Sequence, residues 1–98
     1  MIKSGLPAIH PGELLREIIV ERKISQAQLS RAVGVAPMRI SHLVKGARPV
    51  TAELALLFGR ALNRSPQYWL NLQGAYDLKV AERLIRSQLK SGVELQAV

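Results

Sequence analysis

Met38, Arg39, Ser41 and His42 fall within five residues and offer four kinds of contact to a polar surface. A guanidinium such as that of Arg39 can bond two guanine acceptors at once, or grip a single phosphate. Met38 can lie against a thymine methyl or fill a gap at the start of a helix. Ser41 is short enough to serve base or phosphate. His42 can donate into a groove or stand as an ordinary surface histidine. Interleaved with these, Ile40, Leu43 and Val44 recur at helical spacing, so the run has an apolar face and a polar one. The surrounding charge has one sign. No acid stands between Glu21 and Glu53, a window holding Arg22, Lys23, Arg31, Arg39, Lys45 and Arg48, in a chain of net charge +7. A basic face can serve solubility alone, but an uninterrupted window of this length fits a polyanionic partner better.

The elements that must position these groups read as helices throughout, because apolar residues recur at three and four and no stretch alternates at period two. Ninety-eight residues predict a single domain. We expect an N-terminal arm over 1–10 flanked by Pro7 and Pro11, a helical body over 11–90, and a flexible tail over 91–98 after Gly92. The first helix runs from Gly12 to Arg22 with Leu14, Leu15, Ile18 and Ile19 as its stripe. Ser25 caps a second helix, Gln26 to Val33, with Leu29, Ala32 and Val33 facing the core. Gly34 suits a left-handed C-terminus. A third helix starts at Pro37 and ends at Gly46. Thr51 caps a fourth, with Glu53 in its first turn and Leu54, Leu57, Phe58, Ala61 and Leu62 as the stripe. Ser65 and Pro66 open a last helix that continues through at least Leu89.

Several functions are excluded by composition. There is no Cys, and two His residues make a structural zinc site improbable. His42 has no partner His, Cys or neighbouring carboxylate for a metal. No run approaches eighteen apolar residues, and the N-terminus lacks a signal-peptide core, so a cytoplasmic protein with no membrane span is expected. The acids Glu13, Glu17, Glu21, Glu53, Asp77, Glu82 and Glu94 are scattered at helical surface spacing. With no phosphate-binding glycine loop and no His–acid pairing, no catalytic residue, cofactor or enzyme is expected. The absence of strands disfavours an RNA-binding aromatic sheet.

The turn at Gly34 and Val35 is too short for helices two and three to lie antiparallel, so they cross at a large angle. Leu29, Val33, Val35, Ile40 and Leu43 plug the corner, and the rest of helix three projects outward. This is helix-turn-helix geometry, in which the second helix enters the DNA major groove. The stretch SQAQLSRAVGVAPMRISHLVKGARPVT resembles the helix-turn-helix of the lambda-repressor-like, or Xre, family. Within that family it is most similar to the HigA antitoxins, through HPGELLREII at His10–Ile19, KGARPVTAELALLFGRAL at Lys45–Leu62 and RSPQYWLNLQGAYDL at Arg64–Leu78. The resemblance covers roughly Ile9 to Leu78. It implies a compact all-α fold of five helices, usually a homodimer on a palindromic double-stranded operator. Such proteins repress their own toxin–antitoxin operon and often neutralise a HigB-type toxin, an mRNA-cleaving ribonuclease. A stand-alone Xre-type regulator with no toxin is the alternative.

Carried onto this chain, the resemblance implies that the Gln26 amide lies near the DNA backbone. Gln28 and Arg31 either touch sugar–phosphate or remain solvated. Ala36, Met38, Arg39 and His42 come from the part of helix three that reaches base edges, with Ser41 beside them. Lys45 and Arg48 grip phosphate, helped by N–H groups at the start of helix four near Thr51. Relatives often carry a basic pair and Gly-Ile before this Thr; here the stretch is Ala47, Arg48, Pro49, Val50, one basic side chain fewer. On the last helix Trp69, Leu72 and Tyr76 share a face with Leu70 beside it, and Trp69 reads as core. Leu70, Tyr76, Val80 and Leu84 are candidates for a dimer seam or a toxin-docking face.

Overall fold

The computed structural model describes residues 8–92 and Leu95. The arm residues 1–7 and tail residues 93, 94 and 96–98 lie outside the described set. Among the described residues six helices follow in order: α1 Pro11–Glu21, α2 Gln26–Val33, α3 Pro37–Val44, α4 Ala52–Leu62, α5 Pro66–Leu84 and α6 Arg86–Ser91. No strand occurs among the described residues.

Local chemistry accounts for most boundaries. His10, Ser25, Thr51 and Ser65 each accept a backbone N–H of the helix they precede, which satisfies one of the donors a helix start leaves unpaired. Proline opens α1, α3 and α5, where a missing N–H costs nothing. Gly34 ends α2 in the left-handed region at φ 70°, and Asn63 ends α4 there at φ 57°.

Burial then assembles the helices. Leu15, Leu29, Ile40, Leu43, Leu54, Phe58 and Trp69 are fully enclosed, and Ile18, Ile19, Val33, Val35, Val50, Ala55 and Leu62 complete one core. The Trp69 ring tilts against Phe58 at 5.4 Å between centroids, tying α5 to α4. α1 packs on α3 and α5, and α2 on α3 and α4.

Three expectations need correction. Ala32 and Ala61 are exposed; the small residues that α2 and α4 enclose are instead Ser30 and Ala55. The five-helix count becomes six, because the last helix is not continuous to Leu89. Ile85 leaves helical geometry at φ −112°, ψ 21°, and α6 resumes at Arg86. No described residue after Val80 is even half-buried. Without an apolar face to bury, the helix has only its own propensity to hold it, and a β-branched residue is a weak point.

Candidate nucleic-acid interface

The α2–turn–α3 corner is fixed from both sides. At its start, the Ser25 hydroxyl accepts the Gln28 N–H at 3.0 Å and the Gln28 carbonyl oxygen accepts the Ser25 N–H at 2.7 Å, a reciprocal capping box. Gln28 thus commits its oxygen to the helix start. Gln26, the first residue of α2, is half-buried beside it. At the turn, the Ser30 carbonyl accepts N–H groups from both Gly34 and Val35, and the buried Ser30 hydroxyl donates to the Val35 carbonyl. Glycine adopts the Gly34 backbone without the strain that a Cβ brings there.

α3 is anchored by Ile40 and Leu43, both fully buried. That anchoring dictates what it presents. Ala36 and Met38 are exposed, Met38 at 70%, while Arg39, Ser41 and His42 are half-exposed. Ala36 offers no side-chain cap, leaving the first-turn N–H groups of α3 unclaimed by any side chain. The Arg39 Nη1 lies 3.8 Å from a carboxylate oxygen of Glu53 in the first turn of α4. The structure therefore brings the outward face of α3 and the start of α4 together at one place. Thr51 accepts the Leu54 N–H at 3.3 Å there.

Lys45 and Arg48 are exposed on the loop between α3 and α4. That loop is held from within. The Ala47 N–H bonds the His42 carbonyl at 2.8 Å. The Val50 N–H bonds the Gln73 side-chain oxygen at 2.7 Å, and the Gln73 amide donates to the Asp77 carboxylate at 2.9 Å. His10 approaches from α1. Its Nδ1 accepts the Gly12 N–H at 2.8 Å, and its ring meets the edge of Tyr76 at 4.9 Å. Burial lowers the His10 pKa below the ordinary 6.5, partly opposed by a hydrogen bond to the Arg48 backbone and by the Asp77 and Glu13 carboxylates. The imidazole is therefore neutral at pH 7, as its acceptor role requires.

Four residues hold structural roles that the sequence pattern does not announce. His10 caps α1 and reaches the Arg48 backbone. Ser30 locks the turn. Gln73 sits at helical spacing between Trp69 and Tyr76, a polar side chain on an otherwise apolar stripe, but its partner Val50 lies twenty-three residues away in the chain. Arg22 belongs by sequence to the basic window, yet its guanidinium donates to the Leu62 carbonyl at 2.8 Å and so caps the end of α4. The seam candidates are spread along α5. Leu70 packs partly against the core, Tyr76 against His10, Val80 is half-buried and Leu84 is 79% exposed.

Among the described residues no group of three His, Cys, Asp or Glu side chains could hold a metal, and no helix is long and apolar enough to cross a membrane. What the surface offers is a guanidinium, an imidazole, a hydroxyl and an exposed thioether on one projecting helix, followed by an ammonium and a second guanidinium.

Comparison with known proteins agrees with this geometry. A helix-turn-helix family model matches residues 15–69. Virulence-associated protein I of Dichelobacter nodosus is 45% identical over 82 residues, covering 83% of this chain and 76% of that protein. Antitoxin HigA-1 of Vibrio cholerae is 34% identical over 79 residues, covering 80% of this chain and 74% of its own length. Among solved structures, the Pseudomonas aeruginosa antitoxin HigA with the higBA promoter superposes with a TM-score of 0.86 at 36% identity, covering 92% of this chain and 99% of that one.

Proposed function

The chain belongs to the helix-turn-helix family of HigA-type antitoxins, and from that premise we propose that it is a sequence-specific DNA-binding repressor acting on the promoter of its own operon. The observation that carries this reading is the division of α3. Ile40 and Leu43 hold the helix in the core while Met38, Arg39, Ser41 and His42 are turned outward, with the exposed cations Lys45 and Arg48 on the loop that follows. In this reading α3 lies in the major groove, and Ala36, Met38, Arg39 and His42 meet base edges, with Ser41 serving base or phosphate. Gln26, Lys45, Arg48 and the start of α4 at Thr51 contact the backbone and set the register. Gln28 contributes through its amide N–H groups, since its oxygen is engaged in the capping box.

The operator is palindromic and the protein a homodimer, since a two-fold assembly reads two half-sites a helical turn or so apart. The partly exposed side of α5, with Leu70, Tyr76, Val80 and Leu84, supplies the seam or a toxin-docking face. A HigB-type mRNA-cleaving toxin is the protein partner, the protein works in the cytoplasm and on the nucleoid, and it performs no catalysis.

The test is DNA binding by fluorescence anisotropy, comparing the duplex upstream of the coding region with a scrambled duplex across a salt series. Arg39→Ala should cost roughly 1–3 kcal/mol on the upstream duplex and relax discrimination, whereas Lys45→Ala should weaken both duplexes alike and reduce the salt slope by about one. Equal affinity of the wild type for the two duplexes refutes specific repression. Identical behaviour of the two variants refutes the division of labour. Co-purification after expression with the product of the adjacent reading frame identifies or excludes the toxin.

A further inference from the structure

We propose that Glu53 is a specificity-determining positioning residue: by pairing with Arg39 across the α3–α4 junction, it withholds that guanidinium from random phosphates and aims it at a guanine edge. This rests on the reading of α3 as the recognition helix. Glu53 is the one acidic residue between Glu21 and Asp77 in a strongly basic chain. It stands at the surface where DNA phosphates are expected to approach, with its side chain 75% exposed. A carboxylate there repels the ligand. An exposed ion pair at 3.8 Å contributes little to stability. An acid in a first helical turn does favour the helix dipole, but that benefit does not require reach to Arg39.

The pairing has a direct consequence for recognition. An unpaired arginine on this face adds a counterion-releasing contact to any duplex, irrespective of sequence. With the Glu53 carboxylate within ion-pair distance of Nη1 at 3.8 Å, a phosphate approaching that nitrogen must compete with a group of like charge and similar geometry, with little gain. Guanine offers a different exchange. Its N7 and O6 can accept from the remaining Nη2–Nε edge while the carboxylate keeps its hold. The pair also restrains a side chain that is otherwise free to sample many rotamers, so less freedom is lost on binding.

Wild type, Glu53→Gln, Glu53→Asp, Arg39→Ala and the Glu53→Gln/Arg39→Ala double variant are titrated against the upstream and scrambled duplexes across salt, with circular dichroism melts confirming that each is folded. For Glu53→Gln we expect scrambled-duplex affinity to rise severalfold and its salt slope to steepen by about 0.9, the increment of one further phosphate contact. The upstream-to-scrambled ratio falls about tenfold, corresponding to about 1.4 kcal/mol. Glu53→Asp keeps the charge and the dipole benefit but shortens the reach, and should lose discrimination as well. In the Arg39→Ala background, Glu53→Gln should change neither the ratio nor the slope. An equal rise in scrambled-duplex affinity in both backgrounds means simple repulsion of phosphate and overturns the proposal. So does an unchanged ratio in Glu53→Gln, or full discrimination retained by Glu53→Asp. Failure of the wild type to discriminate at all instead overturns the underlying assignment of the DNA face.

Discussion

Gly12 is where the packing behind α3, the proposed DNA face, is least forgiving. A Cβ built on Gly12 would stand 1.8 Å from the Leu43 carbonyl oxygen and 2.9 Å from its carbon, both backbone atoms of α3. Contacts under 3.0 Å do not occur, so α1 and the last turn of α3 would have to separate by about 1.2 Å. Backbone cannot rotate away as a flexible side chain can, and both helices are pinned by fully buried Leu15, Ile40 and Leu43. Overpacking of this kind costs about 2 kcal/mol, within the usual 1–3. For a domain of this size that is a fall in Tm of about 8–16 °C. Gly74 on α5 provides the opposite case, since nothing lies within 4 Å of its added Cβ. There, alanine should stabilise by about 0.5–1 kcal/mol through the ordinary helix preference. Thermal denaturation followed at 222 nm compares Gly12→Ala with Gly74→Ala. Anisotropy with the upstream duplex, at a temperature where both are folded, reads the displacement of α3. Gly12→Ala should melt low and bind weakly even when folded; Gly74→Ala should melt slightly high and bind normally. A Gly12→Ala protein that melts at or above the parent would falsify the close-approach argument.

Two further perturbations probe the supports of the α3–α4 loop. Gln73→Met removes the acceptor of the buried Val50 N–H and should cost about 1–3 kcal/mol, seen as a lower urea midpoint at unchanged m, with weaker DNA binding; an unchanged midpoint refutes the role. His10 titrates below its ordinary 6.5 in the folded protein, so the unfolded chain takes up a proton first. Its contribution is full above pH 6.5 and declines as pH falls from there toward the lowered folded value. Tm should therefore drop between pH 7.5 and 5.5 by more in the parent than in His10→Asn, which retains a capping oxygen but does not titrate; equal drops exclude His10 as the cause.

The helix order and the corner were legible in the sequence because they depend on neighbours in the chain. Ser25 and Gln28 are three residues apart, and Gly34 needs only its own φ to end α2. Core stripes were read with single-position errors at Ala32 and Ala61, where small apolar residues carry little information about which side they face. Long-range polar contacts were not legible. Arg22 reaches Leu62 across forty residues and Gln73 reaches Val50 across twenty-three, and no periodicity encodes such pairs. The same limit hid the Arg39–Glu53 pair, so the sequence marked Arg39 as a base-edge candidate without showing the carboxylate beside it.

These hidden contacts also give a physical sense to the segments outside the corner that carry the family resemblance. His10, Pro11 and Gly12 begin α1 against the last turn of α3 and against the Arg48 backbone. Gln73, in the WLNLQ stretch, holds Val50, and Trp69 fixes α5 to Phe58. None of them reaches the outward surface of α3. They set instead where that surface stands, and a displacement of about an ångström there is enough to lose a bidentate hydrogen bond, whose donor and acceptor must meet near 2.9 Å. A helix of eight residues such as α3 cannot hold its own orientation. In the proposed mode of binding, the reading of DNA is therefore a property of α1 and α5 as much as of α3, and substitutions at Gly12 or Gln73 should be felt at the operator although neither residue touches it.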